Sequence, residues 1–128
     1  MTAHSATERL EAQFAFLNEA DKLKQVLRAT TLVDGSRPEN SGEHSWHLAL
    51  YALVLADQAP PSVDINRVIR MLLIHDLVEI DVGDVPIHSQ NGQAHASEAT
   101  MAAEAKAADR IFGLLPPDLA TPCLLYTS

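Results

Sequence analysis

From Ile65 the apolar residues return at every helical step, as Ile65, Val68, Ile69 and Leu72, and the same face then runs on into His75, Asp76 and Glu79. Steps of three and four place all seven on one side of a helix. His75 and Glu79, four residues apart, stack on the same side. A helix stripe that faces a core cannot carry ionisable groups at no cost, because a buried charge must be paired or must bind an ion. Either the core ends at Leu72, or these polar groups converge on something.

The rest of the chain supplies helices to pack around that stripe. Thr7 to Leu27 holds Leu10, Phe14, Leu17, Leu23 and Val26 at helical spacing, with a possible break at residues 18–21. "DGSRPENSG" (residues 34–42) is dense in turn formers and cannot be helical throughout. Asn40 followed by Glu43 has the form of a capping box. It opens a helix over residues 42–57 that is apolar nearly all round, which predicts the buried central helix. "QAPPSVD" (residues 58–64) ends it, and Ser62 or Asp64 caps a helix reaching about Ile80. Gly83 and Pro86 begin a loop through "HSQNGQAHA". Ser97 then caps a helix carrying Met101, Ala105, Ala108 and Phe112, closed by Gly113 and Pro116. No segment alternates as a strand should. The pattern predicts an all-α fold of about five helices.

The 128 residues, 47% hydrophobic, suffice for one domain with a real core. No apolar run approaches the ~20 residues of a membrane span. No basic stretch followed by an apolar one opens the chain, so no secretory signal is read and a cytoplasmic residence is expected. A net charge of −8 argues against a nucleic-acid polymer as partner. It leaves room for a small phosphate ester, since a metal ion can reverse the local potential. The single cysteine, Cys123, excludes an intrachain disulfide and a cysteine-rich zinc site.

His44 and His47 lie in the first turn of the helix before the stripe, in "SGEHSWH". The short connection predicts antiparallel packing, which puts the start of that helix beside the end of the next. His44 can then meet His75 and Asp76. Two imidazoles and a carboxylate suit a divalent transition metal with open positions. His47, three residues on, competes with His44 for this role.

"EHSWH" followed by "LLIHDLVEIDVGDVP", with the lead-in "LKQVLR…SRPENSGEHS", resembles the HD-domain phosphohydrolase superfamily. More narrowly it is similar to the 5′-deoxynucleotidase-like branch, small helical enzymes that remove phosphate from deoxynucleoside monophosphates. The resemblance covers roughly residues 20–118. It implies an HD-domain helical bundle, often a homodimer, holding one divalent metal ion: manganese, cobalt, zinc, magnesium or iron. His44, His75 and Asp76 match three of the family's metal ligands. Glu79 and Asp84 match its further acids, one handling the attacking water and the other the departing sugar oxygen. Arg28 falls where the family places an arginine near the substrate phosphate. The implied substrate is a nucleoside 5′-monophosphate. Another phosphate ester or nucleotide, or a helical module that binds nucleotides without turnover, are the alternatives.

The family's fourth ligand, an aspartate on a later helix, has no counterpart before Thr121; Asp109 and Asp118 come too early. This fits an HD domain over residues 1–122 that lacks its C-terminal helices. The last six residues, Cys123 to Ser128, can be encoded by TGTCTCTTATACACATCT, the end of a transposon adapter used in library preparation. A non-native tail is the expectation, and the codons of the gene decide it.

Overall fold

The computed structural model describes residues 5–83 and 98–127. Local capping explains where its first elements begin. Ser5 accepts from the Glu8 backbone while Glu8 reaches back to the Ser5 N–H, which starts helix α1 (Ala6–Ala20). α1 ends at the anticipated break and tightens into a 3₁₀ turn, Asp21–Gln25. Leu23 in that turn is buried, whereas Leu10, Phe14 and Leu17 of α1 are more than half exposed.

Two short strands follow, which corrects the expectation of no strand. β1 (Leu27–Thr31) pairs antiparallel with β2 (Pro38–Asn40), with Leu27 opposite Asn40 and Thr31 opposite Pro38. Four of the five β1 residues are exposed, so no inward face imposes an alternating pattern. The connecting turn uses Gly35 at φ 73 and the Asp34 carboxylate, which accepts from the Ser36 N–H at 3.0 Å.

The predicted capping box is present. The Asn40 side chain accepts from the Glu43 N–H and the Glu43 carboxylate accepts from the Asn40 N–H, both at 2.8 Å. It opens α2 (Ser41–Val54). α2 is not the buried helix its composition predicts. Only Ser41, Ser45 and Ala49 are buried, while Trp46, Leu53 and Val54 are at least 60% exposed. Asp64, of the two candidate caps, opens α3 (Ile65–Ile74).

The helix expected to reach Ile80 stops early. At His75 it tightens into a 3₁₀ turn, His75–Val78, and then relaxes into the short α4 (Glu79–Val82), closed by Gly83 at φ 80. Leu77 and Val78 of the tight turn join a core with Leu23, Ala107, Ala108, Ile111 and Phe112. The last four belong to α5 (Glu98–Phe112), whose expected face was right at Ala108 and Phe112 but not at Met101, which is exposed. α6 (Pro117–Thr127) follows, and its Cys123 and Leu124 pack against the same core. Among the described residues, five helices of ten or more residues thus form the body of the fold, as anticipated. No helix among the described residues is long and apolar enough to cross a membrane.

Arg110 ties three elements together. Its guanidinium donates to Asp81 at 2.7 and 2.8 Å and to Glu19 at 2.6 Å. These bonds hold both carboxyl groups below their usual range. Groups with a depressed folded pKa add stability that is complete above the unfolded value, about 4, and is lost as pH falls through the folded values. Arg110→Gln will therefore lower the urea midpoint at pH 7, by an amount worth about 1 kcal/mol given the exposure of the pair. At pH 3 the gap between the two proteins will narrow. An equal gap at both pH values would show that the ion pairs contribute nothing.

Candidate metal centre

The antiparallel packing predicted for the second and third helices is observed. Ser41, fully buried at the start of α2, donates its hydroxyl to Glu79 Oε1 at 2.7 Å. One turn on, Ser45 Oγ lies 3.5 Å from Asp76 Oδ2. The residues after α3 thus lie against the first turns of α2.

The tight turn fixes the His75 ring. Its Nδ1 is 3.1 Å from the Leu72 carbonyl, one helical step back. A carbonyl only accepts, so Nδ1 carries a hydrogen; Nε2, which faces a carboxylate, bonds to it through a second hydrogen, whose place a cation would take. Nε2 is 3.0 Å from Asp76 Oδ1. Their closeness raises the His75 pKa, against burial, which lowers it. Burial alone would raise the Asp76 carboxyl, which is only 9% exposed, but the His75 bond and charge, with help from Glu79 and His44, hold it below its usual range.

The donors suit a divalent cation. An imidazole nitrogen and a carboxylate oxygen 3.0 Å apart have the separation of neighbouring ligands, about 3 Å, around an ion bound at about 2.1 Å. His44, next to Ser45 on α2, places a second imidazole at the same helix end. Its Nδ1 is 2.9 Å from Glu39 Oε1. Among the described residues, however, no three His, Cys, Asp or Glu side chains are gathered closely enough to hold an ion. The structure brings His75 and Asp76 together and sets His44 on the neighbouring turn.

The other candidates are distributed as follows. Arg28 sits on β1, half-buried, with Nε 3.4 Å from Glu39 Oε1 across the ribbon. Arg37 is bonded to Glu43 at 2.7 and 2.9 Å. His47 stacks on Trp46 and leans on Tyr51, with ring centroids 5.7 and 4.7 Å apart. Asp81 pairs with Arg110. Asp84, with His88, His95 and Ser97, lies outside the described residues. A cleft of about 460 Å³ opens beside His75, lined also by Val78, Met101, Glu104, Ala108 and Asp109.

Three residues at this site escaped the sequence reading: Glu39, Ser41 and Ser45. The serines carried a signal, since residues four apart on α2 share the face that meets the acids. Glu39 carried none. It precedes the helix and reaches His44 only because the ribbon folds it there.

The HD domain family profile matches residues 20–127. The chain belongs to the HD domain family. This HD domain is 29% identical to the human 5′-deoxynucleotidase HDDC2 over 92% of its own length and 53% of the relative's. It is 35% identical to the Saccharomyces cerevisiae 5′-deoxynucleotidase YGK1 over 57% of its length and 33% of that protein's. Among solved structures it resembles a predicted metal-dependent phosphohydrolase from Magnetospirillum magnetotacticum MS-1. The TM-score is 0.83 at 51% identity, over 93% of this chain and 58% of that one. The HD domain thus spans about half the length of the human relative and of the solved structure, and a third of the yeast protein.

Proposed function

We propose that this HD domain carries most of the active site of a metal-dependent phosphohydrolase acting on nucleoside 5′-monophosphates, deoxynucleotides among them. The observation that carries the reading is the His75–Asp76 pair. One imidazole has its Nδ1 committed to Leu72 and its Nε2 beside a carboxylate oxygen. The likeness to proteins named 5′-deoxynucleotidase supports the substrate class.

His44, His75 and Asp76 would hold the divalent ion, which when bound polarises the phosphoryl oxygens and acidifies water. Glu79, steadied by the Ser41 hydroxyl, orients the attacking water and takes its proton. The water oxygen bonds to phosphorus as the bond to the sugar oxygen breaks, and Asp84 returns a proton to that leaving oxygen. Arg28 grips the phosphate, on the resemblance alone.

Glu79→Gln separates this chemistry from simple binding. In a form spanning the relatives' length, phosphate release from deoxynucleoside monophosphates should fall about 100-fold or more while metal uptake persists. Parallel assays with ribonucleotides, nucleoside triphosphates and cyclic nucleotides set the substrate class. Undiminished turnover in Glu79→Gln would remove that residue from the mechanism. Release only from triphosphates would overturn the substrate proposed.

A further inference from the structure

We infer that Glu39 is a positioning residue for His44, fixing which ring nitrogen that histidine offers to a metal ion. The inference rests on the metal-centre reading above and adds to it a residue beyond the three proposed ligands.

Glu39 Oε1 lies 2.9 Å from His44 Nδ1, and both side chains are largely shielded, 14% and 21% exposed. A carboxylate only accepts, so the hydrogen of that bond is on Nδ1. In the neutral ring this leaves the lone pair on Nε2. His75 likewise commits its Nδ1 hydrogen to a fixed acceptor, the Leu72 carbonyl, which leaves Nε2, on the Asp76 side, as the nitrogen open to an ion. Two histidines on different helices therefore present the same nitrogen. Ligating histidines are commonly held in this way by a carboxylate or carbonyl on the far nitrogen, which sets ring orientation and strengthens the ligand.

The backbone around Glu39 is pinned on both sides, which makes it a firm anchor. Its neighbour Asn40 is locked by the capping box with Glu43, and the Ser41 N–H donates to the Val26 carbonyl at 2.8 Å. The register that sets Leu27 opposite Asn40 brings Arg28 alongside Glu39, with Nε 3.4 Å from the oxygen that faces His44. Arg28 thus helps to hold Glu39 as well as lying near the site.

The test uses the 128-residue chain with Glu39→Ala and Glu39→Gln. Long-range proton–nitrogen NMR of the metal-free proteins above pH 8 reads the His44 tautomer directly. The wild type should show the hydrogen on Nδ1, and Glu39→Ala should move it towards Nε2. Calorimetric titration with Co²⁺ should show affinity about 10- to 100-fold weaker in Glu39→Ala. Glu39→Gln, whose amide oxygen still accepts the hydrogen, should keep the tautomer and most of the affinity. A merely structural role would shift the thermal midpoint without changing the tautomer. If His44 keeps its hydrogen on Nδ1 in Glu39→Ala, the inference is overturned. If the wild type takes up no Co²⁺, or His75→Ala binds it equally well, the metal reading fails, and the NMR result still decides the role of Glu39.

Discussion

Alanine at His75 or at Asp76 will strip this chain of most of its Co²⁺ affinity. In a form spanning the relatives' length, it will lower metal-dependent phosphate release by at least about 10³-fold, because bound water is no longer acidified towards a pKa near 7. Each change acts differently on the local balance of charge. Asp76→Ala removes the carboxylate that holds the His75 pKa up, and leaves Ser45 facing an apolar methyl group. His75→Ala leaves a nearly buried carboxylate without its imidazole neighbour, so burial pushes the Asp76 pKa up. Both variants should keep the helical circular-dichroism spectrum, since neither residue belongs to the hydrophobic core. Phosphate release at the wild-type rate in both would sink the assignment of the pair. Loss of the helical spectrum would instead make them part of the fold.

Phe112→Ala will be the most damaging single change to stability. The ring has no exposed surface and stacks on Phe16 with centroids 5.9 Å apart. Truncating a fully buried Phe costs about 3–5 kcal/mol through lost burial and the cavity left behind. A small domain has only about 5–15 kcal/mol in total. At this chain length the loss corresponds to a fall of roughly 10–20 °C in the thermal midpoint. Phe112→Leu, which keeps most of the apolar volume, should cost well under half as much. Because Phe112 shares its core with Leu77 and Val78, the alanine variant should also loosen the turn that presents His75 and Asp76. Co²⁺ titration of Phe112→Ala below its midpoint would show this as weaker uptake. A midpoint within 3 °C of the wild type would mean that the packing around Phe112 is not what holds the fold.

What the residues disclosed in advance was local. The Asn40–Glu43 box needs only four residues in a row, and the stripe from Ile65 to Leu72 needs only one helix. Both could be read without knowing what lies across from them. The meeting of α2 with the residues after α3 followed from a short connection, which forces neighbours antiparallel. What stayed hidden depends on partners distant in sequence. β1 and β2 exist through pairing with each other, and their exposure leaves no alternation to detect. The tightening at His75 follows from burial of Leu77 and Val78 against α5, more than twenty residues on. Composition also misled at α2, where Leu53 and Val54 are apolar yet exposed. Glu39 shows the same limit at the site, since its partner is chosen by the strand register.

The tight turn from His75 to Val78 bears on any attempt to toughen this protein. Regular helix is the usual target of thermostabilising substitutions. Here it would be the wrong one. A 3₁₀ turn advances about 120° per residue and an α-helix about 100°, so rewinding three residues would swing Glu79 about 60° relative to Asp76. The Ser41 hydroxyl that meets Glu79 would then face empty space. A sturdier variant bred at these four positions should come out harder to melt and slower as a catalyst.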